Sequence, residues 1–501
     1  MQLKELAAAL TGVMLAEGIG EQEVTGLAAD SRQVKPGDLF VCITGGRVDA
    51  TQYVGDAVAK GAAAVVAQRP VTVPAGVGLI VVEEARLALS ALADRFYGSP
   101  WRQLKSVGIT GTNGKTTTAF LIKQMGMALD RLTGVIGTAG NYLGDVELEA
   151  KSGYTTPEAH NIHRALAAMV ARGGEAVAME VSSHALEQHR TDHIHFDVAV
   201  FTNLTHEHLD YHKTMEGYFE AKAKLFRSLR PGAVAVINLD DPWGERMVAA
   251  VPAGVQILTY GFHEKAAVRA VDLALSPVGA RYRVISPAGE VAVDAPGLFG
   301  TYNVSNALAA LAACMGLGWG LARPAQSLAQ AVTAPGRFER IDLGQAFHVI
   351  VDYAHTPDGF EKLLSDVVKV KEPGAKVIVV FGSAGHRDQT KRPTMGQVAG
   401  DFGDILVLTE EDPRTESALQ ICEQIAAGVR RPGVKVEIIE DRVEAIDRAL
   451  RLAAPHDVLL VLGKGRETEL EVNHPTTWID DVTTTIDLLQ ALLAERGAEA
   501  L

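Results

Sequence analysis

Short apolar runs recur along the chain, each followed by a longer stretch in which apolar residues return at helical spacing. In the first hundred residues, 38–43 and 63–67 read as strands and 53–60 as a helix; the first strand is entered through the turn Lys35-Pro36-Gly37. Gly98-Ser99-Pro100 punctuates the chain. A second series begins at Leu104, with strands at 107–110, 176–181, 198–202 and 233–238. It closes at Ala334-Pro335-Gly336. A third follows, with strands at 349–353, 376–381, 405–409, 434–439 and 457–463. Strands alternating with helices predict mainly parallel sheets covered on both faces. The pattern therefore predicts an α/β chain without internal repeats, in three domains: 1–100, 101–335 and 336–501. Ligands of such sheets usually bind at the carboxyl ends of the strands, and several of the unusual motifs fall there.

Composition narrows the classes. A chain of 501 residues suits about three domains of ~150 residues. Its 47% hydrophobic and 22% charged residues are an ordinary globular balance. A net charge of −14 argues against a general nucleic-acid binder, though not against a local basic pocket for a phosphorylated small molecule. Cys42, Cys314 and Cys422 are far apart and odd in number, so no disulfide framework or cysteine zinc site is expected. A reducing cytoplasm is the expected home. The start, Met1-Gln2-Leu3-Lys4-Glu5, lacks a signal-peptide layout, and no apolar run approaches the ~20 residues that span a bilayer.

The sharpest local signal is Thr110-Gly111-Thr112-Asn113-Gly114-Lys115-Thr116-Thr117. It lies between the apolar run Val107-Gly108-Ile109 and a helical pattern with Phe120, Leu121, Met125 and Leu129 on one face. Strand, Gly-rich turn and helix let backbone N–H groups wrap a phosphate. Lys115 would reach the terminal phosphates, and the Thr116 hydroxyl would hold Mg²⁺. The general P-loop pattern places its first Gly at 109; here that position is Ile109 and Gly111 takes over the task. Position 180 puts a carboxylate, Glu180, at a strand end, where an ATP site carries its second Mg²⁺ ligand.

Thr202 to His212 then gathers His206, Glu207, His208, Asp210 and His212 after a strand, a density that suggests a metal or catalytic site. The rival reading is a zinc hydrolase. Its His-x-His-x-Asp-His pattern is met here with the last His one residue late, and the P-loop has no place in it. Lys222 and Lys224 follow on a helix, two apart, so they cannot share a face. Taken alone they read as surface lysines lying over apolar neighbours.

In this order, P-loop, Glu180, His208 and lysine pair resemble the Mur ligases, most of all the MurE type. These enzymes add the third peptide residue to UDP-N-acetylmuramoyl-alanyl-glutamate. The resemblance runs along nearly the whole chain. It continues in Asp30-Ser31-Arg32, Thr155-Thr156-Pro157, Gly300-Thr301-Tyr302-Asn303, Pro335-Gly336-Arg337, Asp352-Tyr353-Ala354-His355 and Lys391-Arg392-Pro393.

The resemblance implies a set of roles. Gly111, Thr112, Asn113, Gly114, Lys115, Thr116 and Thr117 would bind ATP, with Asn303 and Asn306 at the adenine and Arg337, Tyr353 and His355 closing from the third domain. Ser31 and the loop with Gly46, Arg47 and Val48 would hold the uridine. Thr155, Thr156, Ser182, Gln188 and Arg190 would hold the muramoyl dipeptide. Thr116 and Glu180 would hold one Mg²⁺, and Glu180, His208 and Lys222 a second, Lys222 being carbamylated by CO₂. Arg387, Glu411, Asp412, Arg414, Gly463 and Glu467 would hold a diamino acid. The implied fold is a central P-loop ATPase-type sheet and a C-terminal Rossmann-like domain, in a monomer.

The chain departs from the family at Asp49-Ala50-Thr51 for Asp-Gly-His, Glu207-His208 for Asp-His, and Arg466 for the His of Gly-Lys-Gly-His-Glu. The departure that bears on substrate is Glu411-Asp412-Pro413-Arg414 where diaminopimelate-adding members carry Asp-Asn-Pro-Arg. Arg414 favours a grip on a carboxylate. A bare charge on Asp412 would repel that carboxylate, so the expected acceptor is L-lysine or L-ornithine, with meso-diaminopimelate next. A folylpolyglutamate synthase of the same superfamily, the hydrolase, and a nucleotide-binding scaffold without activity remain the alternatives.

Overall fold

The computed structural model describes residues 1–44, 49–149, 153–276, 279–472 and 474–499. Three sheets carry the chain. The first is five-stranded, ordered Val13–Glu17, Gly78–Val82, Ala64–Ala67, Asp38–Val41, Gly26–Ala28. Only its first pair is antiparallel. The central sheet has eleven strands around a parallel core: Gln256–Gly261, Val234–Asn238, Val198–Phe201, Lys105–Thr110, Ala176–Glu180 and Thr133–Gly137. The third has six, with His348–Asp352, Val458–Leu462, Val377–Phe381, Ile405–Leu408 and Lys435–Ile438 parallel and Glu339–Ile341 antiparallel at one edge.

The inner parallel strands are buried on both faces, which is why they read as unbroken apolar runs, whereas the edge strand Lys435–Ile438 has no buried residue. Two parts of the central sheet differ from the parallel series that spacing predicts. Thr133–Gly137, Gly140–Leu143 and Val146–Glu149 form an antiparallel meander at one edge. Val268–Ser276, Gly279–Ser286 and Gly289–Ala295 form another at the opposite edge. The latter strands alternate buried and exposed residues, as a sheet with one wet face does.

The P-loop helix, Lys115–Met127, ends two residues before Leu129. It packs against Thr301–Gly316, whose continuous run from Ala307 to Cys314 is fully buried. The many alanines let the two helices approach closely, and each buried leucine of the seam contributes about 1.5–3 kcal/mol. This packing fixes Asn303 and Asn306 over the P-loop. Asp366, on helix Pro357–Val370, accepts from the N–H and the hydroxyl of Thr301, both at 2.7 Å. A carboxylate at a helix N-terminus is favoured by the helix dipole, and here it ties the third sheet's layer to the central one. Among the described residues no helix is long and apolar enough to cross a membrane.

Candidate active site

Strand Lys105–Thr110 ends in Gly111, where the chain must turn against its neighbour. A Cβ at Gly111 would stand 1.8 Å from Thr202 Oγ1, so no side chain fits. Gly114, at φ 87°, starts the helix in a left-handed conformation that favours glycine, and a Cβ there would meet Asn306 Oδ1 at 2.3 Å. The loop between is held by Asn203, whose side chain accepts from the N–H of Asn113 at 2.9 Å and donates to its carbonyl at 3.1 Å. Lys115 folds back over the loop, donating to the carbonyls of Gly111 and Thr112, each at 2.9 Å.

Glu180 lies beneath this loop and is 1% exposed. It accepts from Thr116 Oγ1 at 2.8 Å and from the N–H of Thr138 at 2.8 Å. A Cβ at Gly137 would come within 2.2 Å of its Oε1, so that strand end is cut to fit the carboxylate. Thr138 escaped the sequence reading. The only trace of it there is a hydroxyl residue directly after a strand-terminal glycine.

Lys222, on helix Met215–Arg227, is 1% exposed and donates to Gly111 O at 2.9 Å. Lys224, two positions on, is exposed and pairs with Glu187 at 2.6 Å. The two lysines thus take opposite surroundings, and the surface reading fits only the second. Burial, aided by the charge of Lys115, holds the Lys222 amine well below the usual range. His208 lies against the same group at φ 57°, a left-handed conformation unusual for a residue with a side chain. Burial and the nearby His184, Lys222 and Lys115 push its imidazole down to about 2, so it is neutral and able to ligate. Of the other loop histidines, His212 packs in the same ring cluster, 5.4 Å from His184, but both His206 and His212 have a ring nitrogen engaged. His206 meets Asp388 at 3.1 Å and His212 meets Ser183 Oγ at 2.9 Å, so they do not converge as the hydrolase pattern requires.

Asn303 donates to Phe299 O at 2.8 Å, and Asn306 to Asn303 at 3.3 Å. From the third sheet's side, Arg337 stacks over Tyr353 at 4.0 Å and reaches Thr116 Oγ1 at 3.4 Å. Tyr353 donates to Glu467 at 2.6 Å. His355 is pushed down to about 3 by burial and by Lys391. Asp358, another residue the sequence reading missed, accepts from Asn113 Nδ2 at 3.0 Å.

The dipeptide candidates form a second cluster at the end of the Glu180 strand. Thr156 Oγ1 donates to Glu180 O at 2.9 Å and accepts from the N–H of Ser182 at 2.9 Å. Arg190 donates to Thr156 O at 2.6 Å and Gln188 Oε1 at 2.8 Å, and pairs with Glu158 at 2.9 Å. Thr155 accepts from Thr138 Oγ1 at 3.2 Å. Ser31 stands apart in the turn after strand Gly26–Ala28 of the first sheet, its carbonyl receiving Lys60 at 2.9 Å. The uridine candidates Gly46, Arg47 and Val48 lie outside the described residues.

The amino-acid candidates gather where strands Ile405–Leu408 and Val458–Leu462 end. Asp412 and Arg414 both have left-handed backbones, at φ 46° and 56°. Arg414 pairs with Glu471 at 2.8 Å. Asp412 pairs with Lys464 at 2.8 Å and accepts from the N–H of Glu471 at 2.9 Å. Lys464, 3% exposed and also paired with Glu467 at 2.9 Å, was missed as a functional residue. Its pairing removes the premise that Asp412 offers a bare negative charge. Glu411 is buried beside Gly463, whose Cβ would stand 2.3 Å from Glu411 Oε2. Arg387 is exposed.

Three family profiles match in chain order: the Mur ligase family catalytic domain over 23–97, the Mur ligase middle domain over 109–314, and the Mur ligase glutamate ligase domain over 336–465. The UDP-N-acetylmuramoyl-L-alanyl-D-glutamate–2,6-diaminopimelate ligase of Geobacillus thermodenitrificans is 43% identical over 489 residues, covering 96% of this chain and 98% of that one. The Streptomyces coelicolor ligase of the same name is 41% identical, covering 92% of each chain. A solved structure of a ligase of that name matches with a TM-score of 0.67 and 32% identity over 98% of this chain and 99% of that one. Mycobacterium tuberculosis folylpolyglutamate synthase, complexed with ADP, matches at 0.63 with 21% identity over 75% of this chain and 91% of that one, a likeness of fold alone. With the P-loop, the buried Glu180 and the matched sequence in agreement, the chain belongs to the Mur ligase family, as an ATP-dependent amide-forming ligase of the MurE type.

Proposed function

We propose that the chain joins meso-diaminopimelate to UDP-N-acetylmuramoyl-L-alanyl-D-glutamate in the cytoplasm, as a monomer. Residues 1–100 would hold the uridine end, 101–335 ATP and the dipeptide, and 336–501 the incoming amino acid. The observation that carries the acceptor is the Asp412–Lys464 pair at 2.8 Å. Lys464 beside Asp412 lessens the repulsion of a second carboxylate, and Arg414, paired here with Glu471 at 2.8 Å, would turn from that partner to the distal carboxylate that lysine and ornithine lack. The relatives' names agree.

A carboxylate does not acylate an amine in water, because its oxygen leaves poorly. The dipeptide carboxylate would attack the γ-phosphorus of ATP, giving an acyl phosphate and ADP. The amine of the amino acid would then attack the acyl carbon, and the tetrahedral intermediate would expel phosphate. The N–H groups of the loop from Gly111 to Thr116 and the Lys115 ammonium would cradle the moving phosphoryl group. Arg337, reaching across from the third sheet, would add its charge on ATP binding.

The donor set suits Mg²⁺, which prefers oxygen: the Thr116 hydroxyl and the Glu180 carboxylate for one ion, Glu180, His208 and modified Lys222 for another. Bound Mg²⁺ would neutralise charge developing on the phosphoryl oxygens. Lys222 itself supports carbamylation. A buried ammonium is costly, whereas a neutral amine attacks CO₂, forming an N–C bond and releasing one proton. The product presents oxygen where the amine presented nitrogen.

Phosphate release would be measured with ATP, Mg²⁺ and the UDP-muramoyl dipeptide, adding meso-diaminopimelate, L-lysine or L-ornithine separately. Release with diaminopimelate alone is the expected result. Release with a diamine and none with diaminopimelate would overturn the acceptor while keeping the ligase.

A further inference from the structure

Away from the nucleotide, three ligand-type side chains converge at the outer rim of the third sheet. Glu410 follows strand Ile405–Leu408, Asp441 caps helix Arg442–Leu452, and His474 lies in the segment leading to helix Asp481–Glu499. Their nearest ligand atoms all lie within 4.8 Å of one another. Glu410 is 2% exposed, and its Oε1 is buried without a hydrogen-bond partner. A buried carboxylate oxygen left unpaired, with a second carboxylate beside it, is an arrangement a cation relieves.

The histidine is oriented for this task. Its Nδ1 faces Pro475 O at 3.0 Å, while Nε2 faces Glu410 Oε2 at 2.9 Å. A backbone carbonyl holds the Nδ1 proton, and Nε2 faces Glu410 Oε2, where a proton bridges the pair and a bound ion would take that proton's place, with the carbonyl-held imidazole in the usual outer-sphere arrangement. Asp441 uses Oδ1 to accept from the N–H of Glu444 at 3.0 Å, which leaves Oδ2 to turn inward. An ion with bonds of about 2.1 Å holds its ligands about 3 to 4 Å apart, so small rotations of two side chains complete the set.

We propose that Glu410, Asp441 and His474 form a binding site for a divalent transition-metal ion such as Zn²⁺, separate from the Mg²⁺ positions at the nucleotide. One imidazole and two carboxylates, with no phosphate oxygens beside them as ATP would supply at the nucleotide, suit such an ion better than Mg²⁺. Solvent fills the open side next to the exposed His474. The ion clips the 463–480 segment to the strand that carries Glu411 and Asp412. That segment supplies Lys464, Glu467 and Glu471 to the amino-acid cluster, so the clip steadies one wall of it.

The test uses the full chain, stripped with chelator and dialysed against Co²⁺ in excess Mg²⁺. One Co²⁺ per chain is expected, with a visible absorption band. His474→Gln and Asp441→Asn should each weaken binding at least tenfold and abolish the band, while His208→Gln keeps it. Turnover of His474→Gln with Mg²⁺ alone should match the parent. Co²⁺ bound equally by His474→Gln would overturn the site by placing the ion at the nucleotide. No Co²⁺ retained by the parent would overturn it in favour of a simple Glu410–His474 ion pair.

Discussion

Lys115 and Lys222, from different helices, share one acceptor: each donates to Gly111 O at 2.9 Å. Two ammonium groups on one buried carbonyl would repel strongly; burial lowers both amines, that of Lys222 furthest, while Glu180 and Glu207 favour the charge on Lys115. The neutral partner is also the nucleophilic one. Lys222→Ala and Lys222→Arg should both keep the fold by circular dichroism and lose turnover by on the order of 100-fold. Activity of the parent should fall on CO₂ removal and return with bicarbonate. Full turnover of Lys222→Arg would exclude a modified lysine.

Glu180 holds Thr116 and Thr138 in register with the loop. Glu180→Gln keeps the shape but surrenders the charge. We expect kcat to fall on the order of 100-fold or more, with little change in melting temperature. A Mg²⁺ titration checks the cause: the variant should need far more Mg²⁺ for half-maximal rate.

Gly111 has no room for a methyl group. Gly111→Ala should displace the loop from Thr202, lower the melting temperature, and cost on the order of 100-fold in kcat/KM for ATP, since small misplacements of a phosphate cradle are expensive. Near-parent kinetics would mean that the strand end yields easily.

Glu411 gives a pH signature. Burial, opposed by Arg442, Lys391 and Lys464, pushes its carboxyl from 4.5 up to about 7. Between these two values the folded chain holds a proton that the unfolded chain has lost. Stability from this group is therefore complete below about pH 4.5 and declines as pH rises to 7, by about 3 kcal/mol at most. Urea denaturation at pH 5 and pH 7.5 should show a smaller difference in Glu411→Gln than in the parent. An identical difference would assign the slope to other groups.

Asp412→Asn tests the acceptor pocket. Because Lys464 already pairs with Asp412, the variant should still prefer diaminopimelate over lysine, with KM changed by less than about tenfold. Arg414→Ala should raise KM for diaminopimelate by on the order of 10- to 100-fold while leaving KM for ATP alone. A switch to lysine in Asp412→Asn would show that the Asp412–Lys464 pair, rather than Arg414, sets the choice.

Most of the parallel strands and the P-loop were legible because both are local: an apolar run, a Gly-rich turn and a Gly-Lys-Thr need no distant partner; Thr133–Gly137 and Gln256–Gly261 were not read. The two antiparallel meanders were not legible: no strand was read in segments such as Gly289–Ala295, whose short, partly exposed alternation gives no apolar run. Lys222 shows a sharper limit. Its neighbours in sequence resemble those of any surface lysine, and only the fold brings it under Gly111. Asp412 misled for a related reason: its charge is evident in the sequence, but its partner Lys464 is 52 positions away. The same holds for Arg442 and Asp481, a fully buried pair at 2.7 Å with no sequence signal at all.

The contacts between the third sheet's layer and the central one fall into two kinds. Around the chain crossing they are apolar and buried, with Phe299 stacked on Phe338 at 4.6 Å beside the Asp366 cap. Over the nucleotide site they are single polar contacts: Asn113 to Asp358, His206 to Asp388, Arg337 to Thr116. Water replaces bonds of the second kind at a net cost of about 1 kcal/mol each, while parting the first would expose oily surface. The molecule thus has a pivot that resists separation and a latch that does not. Swinging on the one and releasing the other would let ADP leave without unfolding anything.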